Sequence, residues 1–509
     1  MPAPNTISAQ GTFRALAGGS FWTTTSTVLH KASILVVLYL LARILDPEYL
    51  GLYGYVASTL AVFAAFGVSG FGTLANRFIA DLKNDNPTRV GRILALSWGA
   101  AILFSVCATA LALLSAGWIA ERVCGEPQLA PLLRMAAVAL LGMALLGVGR
   151  GVLGGLRAFR TQTVSYAFLM VTSVPLIAGG AYWRGLDGAI GGMVANYFCA
   201  GVVCTFLAWR QTRRHGLRII PEGTAGEIHL LGTFWLPAML AGMMFLPTMW
   251  LSQTILLLQE GGKHMLAMFT PPNQLRVAMI LLPAAVSQVV LTLLSETARQ
   301  EQEARFRSIL LLHIRVIWFM TLPMCVLAVA ASRSLAMSFG SDYVSAWPVL
   351  MVLAVSALFS SIATSVGQAL ASKHRMWLAF LLNGIWATVL LVLAWVWAPH
   401  YGALGVALAY LVSYGVHVIT SFVVLRWLLR VSPDRMVLRL LPITTVFMMA
   451  AILAGVYLPW AAGLGMAIVL ALACVATNMR FCMDRREQGK LRAFATELLD
   501  RVWRGRRET

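Results

Sequence analysis

The chain has 509 residues, 59% hydrophobic and 12% charged, with a mean hydropathy of +0.78. A soluble domain carries about 25% charged residues, so this composition excludes a soluble enzyme held by one anchor. The net charge of +19 is strung between apolar runs instead of gathered on one face, which argues against nucleic acid as a partner.

A helix needs about 20 apolar residues to cross a bilayer, and lipid leaves no backbone polar group unsatisfied. The hydropathy pattern predicts an all-α polytopic membrane protein of about 14 transmembrane helices. Residues 1–19 are mildly polar, lack the apolar core of a secretory signal and read as a cytoplasmic N-terminal segment. Spans 1–6 follow at 20–44, 49–71, 92–116, 129–149, 163–184 and 188–209, forming an N-lobe over 20–209. A basic cytoplasmic linker occupies 210–229. Spans 7–12 follow at 230–256, 265–293, 306–331, 345–367, 376–398 and 402–426, giving a C-lobe over 230–428. Spans 13 and 14, at 436–458 and 460–478, fill 429–478, and 479–509 is a basic tail. In that tail Leu491, Phe494, Leu498, Leu499, Val502 and Trp503 keep helical spacing among arginines, as in an amphipathic helix on an anionic membrane face. A helix that binds a protein partner is the other reading of the same pattern.

Basic residues set the orientation, because cytoplasmic loops are enriched in Lys and Arg. The connections after odd-numbered spans carry few: Arg43, Arg122, Arg184, Lys263 and Arg333. Those after even-numbered spans carry Arg77, Lys83 and Arg89, then Arg157 and Arg160, then Arg210, Arg213, Arg214 and Arg218, and so on to the tail. Even connections and both termini are therefore expected in the cytoplasm, with the protein multi-pass in a bacterial inner membrane. The halves also repeat. Gly188-Ala189-Ile190-Gly191 recurs as Gly402-Ala403-Leu404-Gly405, and an offset of 214 gives six identities in fifteen positions. Two pseudo-symmetric six-helix lobes in parallel, plus two C-terminal helices, are the resulting plan. Small-residue packing between helices is the plainer source of such matches.

A charge inside a span is costly and faces water, a partner or a cargo. Lys31 lies near the centre of span 1 and Arg276 well inside span 8, in Asn273-Gln274-Leu275-Arg276. From two lobes they are expected to face one cavity and bind an anionic headgroup. Arginine offers a planar fork to phosphate and lysine a point charge; the bland reading is snorkelling to the interface. Asn273 and Gln274 are placed to bond sugar hydroxyls; Gln253, Gln288, Asn196 and Asn383 are weaker candidates, equally explained by interhelical bonds. Arg134 and Arg150 bracket span 4 and read as interfacial. His30, His313 and His417 read as packed residues more than as a proton relay. None of the 20 acids falls near a span centre: Asp46, Glu48, Asp187, Glu260 and Glu296 lie at ends or connections. Pro237 and Pro247 in span 7, and Pro271, Pro272 and Pro283 in span 8, are expected to interrupt those helices and to let them bend. The glycines from Gly147 to Gly155 around Arg150 suit close helix packing far better than a nucleotide loop, since no strand precedes them. The seven cysteines form no metal-ligand pair and read as small buried hydrophobes. No cofactor or metal is expected.

The segment Ala42-Arg43-Ile44-Leu45-Asp46-Pro47-Glu48-Tyr49-Leu50-Gly51-Leu52-Tyr53 joins spans 1 and 2. It resembles the motif at this place in bacterial polysaccharide flippases, the Wzx-like branch of the MOP superfamily. Phe66-Gly67-Val68-Ser69-Gly70-Phe71-Gly72 is similar to the family's end of span 2. The chain departs from the pattern at Asp46 and Leu50, where Gly and Phe are usual. In the second half Met265 to Phe269 lacks the family's Gly and Tyr.

The resemblance implies two six-helix lobes around a central cavity that opens alternately to each side, with a groove for lipid at the last two spans. It implies, too, a cargo of oligosaccharide on polyprenyl pyrophosphate, flipped outward for O-antigen, capsule or exopolysaccharide synthesis. Membrane lipids, a polysaccharide polymerase and other assembly proteins are the implied partners. A MATE-like multidrug exporter is the alternative transporter, disfavoured because Lys31 and Arg276 would repel cationic drugs. A membrane-embedded polymerase is a further alternative, disfavoured by the lack of a large loop or paired carboxylates. The protein is accordingly expected not to be an enzyme.

Overall fold

The computed structural model describes residues 28–29, 31–68, 70–83, 85–235, 239, 244–300, 302–373, 375–427 and 435–482. The amphipathic tail beyond 482, Pro237, His30 and the Gln288 side chain lie outside the described residues.

Every regular element among the described residues is helical. Helix α1 covers 31–44, and α2 (Pro47–Gly67) starts with Pro47 in the first turn, where a missing amide costs nothing. Then come α3 (Phe71–Leu82) and α4 (Pro87–Trp118), the latter capped by the Asn86 side chain, which accepts from the Arg89 amide at 3.0 Å. Next are α5 (Leu129–Ala137), α6 (Ala139–Gly155), α7 (Phe159–Ser173) and α8 (Gly179–Arg214). A second series has α9 (Phe245–Leu257), α10 (Gly262–Arg299), α11 (Glu303–Ala330), α12 (Ser332–Phe339), α13 (Trp347–Ser372) and α14 (Met376–Trp427). It closes with α15 (Arg435–Tyr457) and α16 (Trp460–Cys482).

Among the described residues, nine stretches are long and apolar enough to cross a membrane. Two of them, Phe159–Arg214 and Met376–Trp427, run to 56 and 52 residues, far beyond one crossing. Each folds back on itself at a glycine. Gly185 has φ 60° and ψ −137°, and Gly402 has φ 55° and ψ −131°, a conformation closed to residues with a Cβ. The two turns also match in their surroundings. A Cβ on Gly188 would strike the Gly180 carbonyl, and one on Gly405 would strike that of Trp397. The structural repeat therefore runs at an offset of 217: Gly402 answers Gly185 and Gly405 answers Gly188. The expected register of 214 is corrected by three residues, because it equated Gly188, inside a helix, with Gly402, at the turn.

By internal contact the chain falls into two units. The first holds residues up to Ala278, with Phe339–Ala346 and Asn383–Ala409; the second holds Met279–Ser338, Trp347–Leu382 and the chain from Tyr410 onward. In the second unit α11 is the central helix. Leu322, Cys325, Val326 and Val329 are buried there with Ala354 and Leu358 of α13, Ala451 of α15 and Ala467 of α16. Trp318 donates its indole N–H to Thr444 at 2.9 Å, so the ring is buried with its polar edge satisfied. His313 is buried against the Ser287 hydroxyl at 3.1 Å, which fits a packed histidine.

In the first unit the glycine run on α6 is a helix-packing surface. A Cβ at Gly151 would collide with the Gly72 carbonyl on α3, and Gly149 faces Cys204 on α8. Arg150 lies among these glycines with its guanidinium carbon 3.5 Å from the centre of the Tyr166 ring. Arg134 is exposed, as an interfacial cation should be. Cys124, Cys204, Cys325 and Cys474 are buried as expected, but Cys107 and Cys199 are exposed on their helices, where a thiol is apolar enough to face lipid.

The residues after α8 fold back on α4. Arg89 holds Glu227 through two bonds, Nε to Oε1 at 2.9 Å and Nη2 to Oε2 at 3.1 Å, and the Ile220 amide donates to the Gly91 carbonyl at 3.1 Å. Gly147 and Gly151 offer a test of the packing. A Cβ at Gly147 meets nothing within 4 Å, whereas at Gly151 it meets backbone that cannot rotate away. Gly147→Ala should be neutral or stabilising by up to about 1 kcal/mol, the helix propensity gain. Gly151→Ala should cost about 1–3 kcal/mol by overpacking. Melting temperatures of the purified variants in one detergent should rank Gly151→Ala below wild type and Gly147→Ala at or above it.

Candidate functional site

The first unit contains a cavity of about 370 Å³. Six helical segments and one short turn wall it. Helix α1 supplies Lys31, Ser33, Ile34, Val37 and Leu38, and α2 supplies Tyr53, Gly54, Ala57, Ser58 and Ala61. Leu169 and Ser173 come from α7 and Ile177 from the wide helical turn after it; Met193, Asn196 and Tyr197 come from α8. Phe245, Leu246, Met249, Trp250 and Gln253 come from α9, and Thr270, Asn273, Gln274, Arg276 and Val277 from α10. The four residues singled out by sequence thus border one space. Spans 1 and 8 supply both its cations, and no Asp or Glu stands among its described lining residues.

Helix α10 explains how an arginine enters this wall. From Val277 to Leu294 it is an uncharged and largely apolar run, so its polar groups are gathered in the part before that run. Lys263, His264, Asn273, Gln274 and Arg276 give it a polar face that needs water or protein beside it. The expected interruption by proline is corrected here: α10 stays helical through Pro271, Pro272 and Pro283. Thr270 and Ser287 send their hydroxyls back to the carbonyls of Leu266 and Pro283, at 2.7 and 2.9 Å, one turn away. These are back-bonds within the helix; the carbonyls left without an amide donor by Pro271, Pro272 and Pro283 are those of Ala267, Met268 and Met279.

Arg276 is 1% exposed and Asn273 8%. The Arg276 Nε donates to Asn273 Oδ1 at 3.0 Å, one turn earlier on the same helix. This bond orients the guanidinium through a neutral acceptor. Arg276 therefore borders the cavity as a covered charge, while Lys31 and Gln274 are partly exposed.

The other candidates divide. Gln253 and Asn196 line the cavity; Asn196 also accepts from the Thr172 hydroxyl at 2.7 Å, the interhelical role foreseen for it. Asn383 is exposed and not among the lining residues. Sequence reasoning missed the aromatic share of the wall: Tyr53, Tyr197, Phe245 and Trp250. Tyr53 closes the span 1–2 motif, and its place there was the available signal. The aromatics of apolar spans carry none, because core and cavity rings look alike in sequence.

A polar belt ties α9 to α2, and both α2 and α10 to the connection after α4. Tyr55 Oη lies 2.9 Å from Thr254 Oγ1 and 3.1 Å from Cys124 Sγ, and Trp250 donates its indole N–H to Thr59 at 2.9 Å. Lys263 pairs with Glu126 at 2.9 Å. The helices approach closely because α2 turns Gly51 and Gly54 toward α10, where a Cβ would come within 2.5 Å of the Lys263 carbonyl oxygen and 2.7 Å of the Thr270 side chain. These contacts set one wall of the cavity relative to another. Replacing Asn273 by Leu removes the acceptor beside a buried cation, which should destabilise the protein by about 1–3 kcal/mol. Asn273→Asp keeps the acceptor and should retain the wild-type melting temperature or raise it; thermal unfolding of both variants in detergent checks this.

Comparison with known proteins now bears on this arrangement. The profile of the polysaccharide biosynthesis protein family matches residues 40–348, which take in every lining segment from α2 to α10. The EPS I polysaccharide export inner membrane protein EpsE of Ralstonia nicotianae (strain ATCC BAA-1114 / GMI1000) is 25% identical over 399 residues, covering 76% of this chain and 88% of EpsE. The lipid III flippase of Escherichia coli (strain K12) is 27% identical over 184 residues, covering 35% of this chain and 43% of that protein. Among solved structures, the lipid II flippase MurJ in its inward closed conformation is similar with a TM-score of 0.71, covering 90% of this chain and 97% of its own. At 14% identity that likeness concerns the fold alone.

Proposed function

We propose that this chain, which belongs to the polysaccharide biosynthesis protein family as a Wzx-like member of the MOP superfamily, flips polyprenyl-pyrophosphate-linked oligosaccharide from the cytoplasmic to the outer leaflet of the inner membrane. The observation that carries the reading is the cavity wall. Lys31 and Arg276 come from distant parts of the chain to one space whose described lining has no carboxylate. A diphosphate is the lipid headgroup that such a wall attracts, and a cationic drug is repelled by it. The relatives fit: EpsE is named for polysaccharide export and the Escherichia coli protein for flipping lipid III.

In this reading the cytoplasmic side admits the headgroup, with both termini on that side. Lys31 and Arg276 take the diphosphate, and Asn273 and Gln274 bond the nearest hydroxyls. The cavity then opens outward, and hydration of the released diphosphate competes with the two cations. The return of the empty, positively charged cavity is helped by an inside-negative potential, worth about 2.3 kcal/mol per charge per 100 mV. No covalent bond changes in this cycle, so the protein acts as a transporter. Polymerase and other assembly proteins would consume the cargo on the far side.

The test is transport by purified protein in liposomes, read as the rate at which lipid-linked sugar becomes accessible to a membrane-impermeant reagent. Lys31→Gln and Arg276→Gln should each slow it about tenfold or more, as expected when a desolvated charge pair loses one partner. Lys31→Arg should keep most of the rate. Wild-type transport by both neutral variants, at equal protein levels, would remove these residues from the site.

A further inference from the structure

We infer that the sugar this cavity accepts next to the diphosphate is uncharged. The inference rests on the flippase reading above and adds the chemical class of its cargo. Two ionised side chains, Lys31 and Arg276, stand among the described lining residues, and no Asp, Glu or His stands with them. A diphosphate esterified at both ends keeps one strongly acidic proton on each phosphorus. Both are lost at neutral pH, so it carries two negative charges. The headgroup and the wall are therefore matched at two against two.

A uronic acid or another acidic sugar would bring a third negative charge into the same space. Nothing charged is left in the described wall to meet it, and a charge taken from water without a counter-charge is strongly disfavoured. The rest of the lining suits a neutral sugar. Tyr53, Tyr197 and Trp250 offer flat apolar faces for the C–H side of a pyranose, and Asn196 and Gln253 offer amides for its hydroxyls. These groups are held in place, Trp250 by Thr59 and Asn196 by Thr172. Size limits the claim to the first residue or so of the saccharide. At about 370 Å³ the cavity is at the lower end for ligand pockets, which run from about 300 to 1,000 Å³. A headgroup with its nearest sugar fits that scale; a whole oligosaccharide does not.

Selectivity of this kind works by exclusion: the wall does not bind glucose tightly, it leaves an acid unpaired. That gives a signature which a merely structural role for the lining would not produce. An added cation should relieve the exclusion. Gln253 already lines the cavity, and Gln253→Lys would supply the third charge.

The experiment uses the full chain in liposomes with two synthetic lipids, a polyprenyl diphosphate bearing glucose and the same lipid bearing glucuronate. External periodate, which does not cross the bilayer, oxidises the diols of either sugar once exposed and reports flipping of both. The expected result is glucose lipid flipped about tenfold faster or more, a charge-pairing difference, with Gln253→Lys narrowing the ratio by raising the glucuronate rate. Equal rates, or faster glucuronate, would overturn the inference while leaving the flippase reading intact. If neither lipid flips faster than in liposomes holding the Lys31→Gln, Arg276→Gln double variant, the flippase reading fails and this inference falls with it.

Discussion

Ionised groups resist leaving water more strongly than any other part of a protein, and this chain sets Lys31 and Arg276 at the wall of one cavity among apolar helices. Lys31 and Arg276 can remain charged there only if the surroundings are built for them. Much of the first unit is explicable as that building. A polar face on α10 gives Arg276 a neighbour in Asn273. A cavity gives Lys31 a boundary other than lipid. The belt of Tyr55, Thr254 and Cys124, with Trp250 on Thr59 and Lys263 on Glu126, fixes the walls around both.

Close packing is the second requirement, and glycine meets it. Gly51 and Gly54 bring α10 against α2, and Gly72 and Gly151 bring α3 against α6. In lipid there is no hydrophobic drive for helices to associate, so contact distance and hydrogen bonds do more of the holding. The second unit reaches the same end differently. Around α11 the fit is made by Ala354, Ala451, Ala467 and Cys474, with larger residues facing them.

Much of this was legible in the sequence, for a physical reason. Lipid imposes one rule on every span, so apolar length marked most of the long helices, but the short α3 and α12 lie in stretches read as connections and were not foreseen. The gathering of Lys31, Asn273, Gln274 and Arg276 was legible too, since a membrane punishes stray polarity and so marks what it tolerates. Other things were not. The four aromatic rings of the cavity could not be separated from those of the core, because both environments welcome a large apolar ring. The exposure of Asn383 was hidden because a lone amide can face solvent, lipid headgroups or another helix. Arg276 proved more covered than a cavity ligand is usually pictured. The steady helicity of α10 through three prolines was not legible either, because a proline count does not show whether the helix around it is broken.

The paired turns at Gly185 and Gly402 carry a lesson about ancestry. A slip of three residues along a helix is about 4.5 Å of rise and about 300° of rotation. Any correspondence drawn between the halves with the shorter spacing therefore assigns each side chain a partner pointing in another direction. With the spacing the turns dictate, Tyr197 on the cavity wall has Tyr414 as its counterpart, the same residue type in the other half. If one ancestral half gave rise to both, that tyrosine belongs to the inheritance, and the lysine and arginine, with no basic twin to match them, are later and separate acquisitions.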